Sequence, residues 1–346
     1  MLKKVKMGMI EKRICACFMA LLMIIMPCGC GKSLDSMINQ TAGSLQKAFQ
    51  SDKKYVLEDE SVLPAGSSAS DWIAMTLAFS GRKNAYDEYL SRLNQYVARK
   101  YREDGCLSDV KATEYHRVAL TMLALGGNPR KVEEDGQSID LIADGTWDFC
   151  GGSPGTQGSN GLIYALIILN ASENFAKPDT ENELINELLT YQQEDGAFCI
   201  DNSLGGDIDI TAMAVQALAP YSEDQNVKNV TDKALEWLEK QLTEDMVFCC
   251  FGSDSAETSA QVILALCALG RDPETDELFQ KDGKNLLDGL EQFRLRNGMY
   301  CHSTSDSEED TMATYQAVVA VEAVRQLRND GTWILDFDGY QSPESA

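Results

Sequence analysis

The stretch Asp207-Ile-Asp-Ile-Thr-Ala-Met-Ala-Val-Gln-Ala-Leu-Ala-Pro-Tyr221 decides how the chain is read. Two acids and a Thr precede a run of small and apolar residues, and Pro220 stops it. Such a segment is a capped helix that is apolar nearly all round, so it is expected to be buried on most sides. Five more segments share the pattern. With Asp209 taken as one start, the others begin at Ser70, Glu114, Asn160, Glu257 and Asp310. Nine residues past each start stands an apolar side chain: Phe79, Leu123, Leu169, Leu218, Leu266 and Val319. The steps between starts are 44, 46, 49, 48 and 53 residues. A helical period of this size signals a repeat array or a closed helical ring.

Amphipathic stretches lie between these segments. Residues 85–101, 180–193, 231–242 and 283–294 each carry one apolar stripe and a charged opposite face, as an outer-layer helix should. Residues 132–143 form a weaker version with Gly136 inside, and Leu34, Met37, Ile38, Leu45 and Phe49 supply the stripe of an N-terminal helix. The expectation is an all-α chain of six inner and six outer helices in two concentric layers. The joints repeat as well: Asp104-Gly-Cys-Leu107, Asp144-Gly-Thr-Trp147, Asp195-Gly-Ala-Phe198 and Asn297-Gly-Met-Tyr300. Each is a glycine turn followed by apolar residues. The fifth joint, Asp245-Met-Val-Phe248, has lost its glycine. The organisation expected is a leader over 1–29, a linker and first helix over 30–69, the helical repeats over 70–330, and a frayed polar tail over 331–346.

The chain has 346 residues, 44% hydrophobic and 24% charged, with a formal charge of −24. No basic patch is present to neutralise phosphates, so nucleic acid is not an expected partner. The N-terminus is different. Five bases precede the apolar run Cys15 to Met26, which ends in Pro27-Cys28-Gly29-Cys30. A basic region, a short apolar core and a small residue before a Cys resemble a bacterial lipoprotein signal. Cys30 is the expected lipidation site, Cys28 the alternative, and the membrane is then a partner through that anchor. The chain would be exported to the outer face of the cell membrane. Seven cysteines follow Cys30 at wide spacing, with no CxxC pair, so neither a disulfide framework nor a zinc ribbon is indicated.

Gln192-Gln-Glu-Asp-Gly-Ala-Phe198 resembles the Gln-x-x-x-Gly-x-Trp motif of the terpenoid-cyclase and prenyltransferase repeat superfamily. Asp209 to Tyr221, Thr113 to Arg117, Thr156 to Leu166 and Glu257 to Gly270 are similar to the inner-helix signature of bacterial surface proteins with such repeats. The resemblance spans residues 60–325 and implies an α/α toroid with a central cavity. The same toroid occurs in vertebrate cobalamin carriers, but those close their site with a further β-rich domain, which is not expected here. Class II cyclases carry Asp-x-Asp-Asp-Thr-Ala. Asp207 and Asp209 match the first two acids, and Ile210 replaces the third. Protein prenyltransferases hold zinc through an Asp-x-Cys pair at an inner-helix start, and no inner helix here opens that way. No metal site is expected, and no cofactor is assigned.

Closure into a ring would place Glu114, Asn160, Asp209, Glu257 and Asp310 along one rim. Taken singly, each satisfies free N–H groups and the helix dipole, for roughly 0.5–2 kcal/mol. Together they could attract a cation or raise one another's pKa. One turn further in, Arg117, Tyr164, Met213, Gln216, Gln261 and Thr314 recur on the same face. They read either as inter-helix hydrogen bonders or as the polar points of a ligand cavity. His116 and His302 are read as structural. The function expected is a lipid-anchored binding module with a small-molecule or peptide ligand in the toroid. The alternatives are a cyclase- or prenyltransferase-like enzyme, with Asp209 and its neighbour Asp207 as the catalytic acids, and a structural adhesion component.

Overall fold

The computed structural model describes residues 33–134, 136–250, 252–343 and 345. The leader and Cys30 lie outside the described residues. Residues Leu34–Ala346 form one compact unit, which includes the N-terminal helix expected in the outer layer.

Among the described residues the helices alternate between two layers. The outer ones are α1 (Leu34–Ala48), α3 (Tyr86–Asp104), α5 (Leu141–Gly145), α7 (Pro178–Leu189), α9 (Gln225–Gln241) and α11 (Leu286–Glu291). The inner ones are α2 (Ser68–Phe79), α4 (Ala112–Ala124), α6 (Ser159–Leu169), α8 (Ile208–Leu218), α10 (Ala256–Ala268) and α12 (Thr311–Asp330). Each inner helix packs on the next, and α12 packs back on α2, which closes the ring. Outer helices α5, α7, α9 and α11 cover α4, α6, α8 and α10, while α1 lies on α12. Helix α1 therefore fastens the last inner helix, with Asp35 paired to Arg325 at 3.1 Å.

The joints tie the layers together. The Gln192 amide donates to the Gly196 carbonyl at 3.0 Å and to the Val230 carbonyl at 2.9 Å. Gly196 has φ 103°, and a Cβ there would lie 2.5 Å from the Lys233 carbonyl oxygen. Only glycine fits without strain. Phe198 is then fully buried, and its N–H donates to the Thr211 hydroxyl at 2.9 Å. The last joint repeats this bond from Tyr300 N–H to the Thr314 hydroxyl at 3.0 Å. In the glycine-less joint Met246 takes the left-handed conformation itself, at φ 63°, with its side chain fully buried.

Two expectations fail. Residues 132–143 do not form an outer helix. Val132–Glu134 (β1) and Gln137–Ile139 (β2) make an antiparallel hairpin that pairs Val132 with Ile139. Gly136, at φ 78°, turns it, and both paired residues are buried. Only the five residues of α5 remain helical, capped by Asp140 through the N–H groups of Ile142 and Ala143. A second small hairpin pairs Cys249–Cys250 (β3) with Ser253–Asp254 (β4).

The tail is not frayed. It crosses the C-terminal end of the inner ring with Ile334 and Leu335 buried. The Phe337 N–H donates to the Ala171 carbonyl at 2.8 Å, and the Tyr340 hydroxyl to the Ala124 carbonyl at 3.1 Å. Phe79, Phe337 and Tyr340 pack as an aromatic cluster. Scattered aromatics in a polar sequence gave no periodic signal, yet each docks in a gap between helix ends.

Candidate functional site

In α6, α8 and α10 the cap residue, Gly158, Asp207 and Ser255, lies two residues before the start that the sequence pattern gives, and this changes the roles of the acids. Asp207 is the cap of α8, accepting from Ile210 N–H at 2.9 Å. Asp310 caps α12 in the same way, through Ala313 N–H at 2.8 Å. Ser255 caps α10 through Thr258 N–H at 3.1 Å. Asp209 and Glu257 are therefore not caps. With Asn160 they occupy the second position of three consecutive inner helices, α8, α10 and α6.

These helices are buried except along one stripe. In α6 the residues left partly open are Asn160 and Tyr164, and in α8 they are Asp209 and Met213. Positions two and six thus face the inner mouth of the ring. The Tyr164 hydroxyl reaches the Met213 sulfur at 3.8 Å. Position six of α10 is Gln261, and position six of α12 is Gln316. The Gln216 amide donates to Gln261 Oε1 at 2.9 Å, and the Gln261 amide donates to Gln316 Oε1 at 3.0 Å. A ladder of three glutamines so links α8, α10 and α12.

Beside the ladder is a cavity of about 230 Å³. Its wall includes Trp72, Tyr164, Tyr315 and Leu264, with Trp333, Ile334 and Leu335 of the tail at one end. Trp72 and Tyr315 stack with ring centroids 6.2 Å apart and planes within 5°. The cavity is a cup, closed by the tail beyond the helix C-termini.

At the start of α8, burial raises the Asp209 carboxyl to about 6. A hydrogen bond from Thr258 opposes this, the charges of Asp207 and Glu257 add to it, and the charge of His302 opposes it. Its Oδ1 is buried with no hydrogen-bond partner, as are Glu257 Oε1 and Asn160 Oδ1. Glu257 is itself only 6% exposed. Its other oxygen meets His302 Nδ1 at 2.9 Å. Partial burial lowers the His302 pKa, but the charge and hydrogen bond of Glu257, with Asp310 and Asp306, outweigh it and leave His302 above its usual value. Burial and the Asp209 charge push the Tyr164 phenol up to about 12.

Several predicted site residues serve the scaffold instead. Arg117 is buried and pairs with Asp71 at 3.0 Å and Glu114 at 2.9 Å, and donates to the Gly66 carbonyl at 2.9 Å. Asp71 is fully buried and also accepts from the Tyr89 hydroxyl at 2.7 Å. Arg117 and Glu114 thus fasten the α2–α4 side and do not line the cup. Thr314 holds the last joint, as described, and Gln316 has the place predicted for it. The cause is a register slip: Asp310 is equivalent to Asp207, not to Asp209, so counting from Asp310 misses the lining residue by two. Trp72, Tyr315 and the tail went unpredicted too. Aromatics on a buried helix do not announce which side faces a lumen.

Among the described residues no group of three or more His, Cys, Asp or Glu side chains is placed to hold a metal ion. No described helix is long and apolar enough to cross a membrane.

The profile of the prenyltransferase alpha-alpha toroid domain matches residues 161–258 and 227–340, together more than half of the chain. The overlap of the two matches reflects the internal repeat. Similar solved structures include protein geranylgeranyltransferase-I from Candida albicans complexed with GGPP, at 10% identity over 86% of this chain and 95% of that one, TM-score 0.56. Unsaturated glucuronyl hydrolase from Bacillus sp. GL1 aligns at 12% identity over 88% and 98%, TM-score 0.54. A variant of the type II terpene cyclase MstE from Scytonema aligns at 13% identity over 85% and 97%, TM-score 0.51. No curated protein matches at the level of sequence. At these identities the likeness is one of fold, and the named activities differ too much to transfer.

Proposed function

Since the chain belongs to the prenyltransferase α/α toroid family, we propose that it is a binding module that takes a small-molecule ligand into the cup inside its ring. We further propose that lipid on Cys30 holds it at the outer face of the cell membrane. The observation that supports the binding role is the cup itself: about 230 Å³ lined by stacked Trp72 and Tyr315 on one side and the glutamine ladder on the other. An apolar, aromatic hollow with a few convergent polar groups is the usual form of a small-molecule site. The size favours a small ligand, since drug-sized molecules occupy pockets of roughly 300–1,000 Å³. Native mass spectrometry of protein purified from its own host tests this. The expected result is a retained small molecule that is absent when Leu264→Trp fills the cup. Each protein flying at its own ligand-free chain mass would refute it.

Asp209 supports a second reading, in which it donates a proton to an isoprenoid. A carboxyl raised to about 6 is partly protonated near neutrality and suits acid chemistry. The missing third acid at Ile210 and the small cup weigh against it. Turnover of an isoprenoid that disappears in Asp209→Asn, with uptake retained, would favour the enzyme.

A further inference from the structure

A second hollow lies against the outer helix α1 and shares no lining residue with the cup. Its volume is about 540 Å³, and its walls are α1, the loop that follows it, Arg82 and Asn297 of the last joint. Lys47, Lys53, Lys54 and Arg82 stand round this one space, and its lining includes no Asp or Glu. The chain as a whole has 54 acids to 30 bases, so such a wall runs against its composition. Elsewhere cations are matched by acids, as Arg92 is by Glu88, Arg130 by Asp140 and Arg328 by Asp272. Among the described residues none of the four in the pocket is in an ion pair.

Arg82 is held in place by the helix beneath it. Its guanidinium lies across α1 at Gly43, where a Cβ would come within 2.5 Å of Nη2. Glycine inside a helix weakens it relative to alanine, and here it makes room for the cation. Arg82 donates to the Asn39 carbonyl, which positions the group without neutralising it. Burial lowers its pKa, and the opposing influence is the Tyr86 phenol, not a carboxylate. The three lysines are no better matched. Lys54 rests over the Tyr55 ring at 4.8 Å, and Lys53 feels the charge of Asp59. At the margin Glu309 accepts from the Asn297 amide at 3.4 Å. With both of these acids counted, the four cations still leave two positive charges over.

We infer that this pocket binds a phosphate monoester on a small hydroxyl-bearing body, a sugar phosphate in kind. The charge matches: a phosphate monoester carries about −1.5 to −2 near neutral pH, whereas a single carboxylate would leave half the surplus unanswered. The donors match as well. A guanidinium presents a planar fork to phosphate oxygens, and ammonium groups add point charges round it. The rest of the wall sets the body of the ligand. Gln46, Gln50 and Asn297 bring amides and Ser51 a hydroxyl, while Val56 is the one apolar side chain in the lining. Amides and hydroxyls pair with the hydroxyl groups of a polyol and give no footing to an acyl chain or an aromatic ring. The volume falls within the roughly 300–1,000 Å³ of small-molecule sites and is more than a bare phosphate fills. The site is separate from the cup, and neither reading depends on the other.

Isothermal titration of the full chain with glucose 6-phosphate, inorganic phosphate and glucose, at pH 8 and low salt, tests it. The expected result is glucose 6-phosphate binding about tenfold tighter than phosphate, and no heat with glucose. Replacing two exposed side chains of the pocket, Lys47→Gln with Lys53→Gln, should weaken glucose 6-phosphate by about tenfold or more. Lys131→Gln with Lys240→Gln removes two exposed charges from outside the pocket and should leave the affinity unchanged. Four results would each overturn the site: no binding of glucose 6-phosphate, glucose binding as tightly, phosphate binding as tightly, or a Lys47 and Lys53 variant weakened no more than the Lys131 and Lys240 one. None of them touches the binding role of the cup, which the retained-ligand measurement decides by itself.

Discussion

Replacing Asp209 with Asn removes a charge from a place that disfavours it, and the consequence for stability can be worked out. Burial raises the carboxyl from 3.8 to about 6 in the folded chain. The folded state then holds its proton more tightly than the unfolded state. Stability falls as pH rises from 3.8 through 6, and above 6 the full penalty of roughly 3 kcal/mol is present. An acid in the first turn of a helix recovers about 0.5–1 kcal/mol from the helix dipole, which Asn would forgo. Asp209→Asn should therefore stabilise the chain by about 2 kcal/mol at pH 7.5. At pH 4 the carboxyl is mostly neutral in the folded state, and the gain should shrink to less than about 1 kcal/mol. Urea unfolding at the two pH values, with an unchanged slope, measures both numbers. Destabilisation at pH 7.5, or the same effect at both pH values, would refute the reasoning. Asp209 would then be an ordinary ionised helix-start acid with water on its free oxygen.

Glu257→Gln should lower the His302 pKa, since the carboxylate at 2.9 Å is its main support, and an NMR titration of the imidazole reads this directly. Arg117→Met should cost about 3–5 kcal/mol in urea unfolding, because it leaves Asp71 buried without its cation; a loss below about 1 kcal/mol would mean that the Asp71 charge is not held by the pair. Ile334→Ala should cost about 2–4 kcal/mol, as for any fully packed side chain, whereas a frayed tail would show no change. A thiol-specific maleimide should label the exposed Cys150 and Cys249 within the time that the buried Cys267 stays unreacted in the native protein.

The inner helices were legible because they are apolar nearly all round and recur with a regular spacing. Their outer partners were legible wherever an apolar stripe ran for three turns, as in α3 and α9. The stretch 132–143 was not, because a hairpin of three-residue strands leaves no period to count, and the Val132–Ile139 pair is a contact between strands. At the site, the half-buried stripe of Asn160, Tyr164, Asp209 and Met213 followed from position along the helix. The slip at Asp310 had a simple physical source: a capping Asp and an Asp two residues inside look alike in sequence, and only the backbone shows which N–H the carboxylate accepts. The same ambiguity hid the split between Asp207, which caps, and Asp209, whose Oδ1 has no partner. Arg117 misled for a different reason. Its partner Asp71 lies 46 residues away in the chain, and a buried ion pair across two repeats has no local signature.

The clasp of α1 on α12 has a bearing on how the ring is made. Asp35 and Arg325 are separated by 290 residues, whereas the Gln261 to Gln316 rung spans 55. Closing the longer loop carries an entropy cost greater by roughly 1.5 kcal/mol, and no α1–α12 contact can form until the last helix has been synthesised. Neighbouring repeats can assemble as they emerge, but the first helix must wait, its apolar stripe uncovered, for the final one to arrive. Met37, Ile38 and Leu45 are therefore the surface that this chain must keep from wrong partners during its birth.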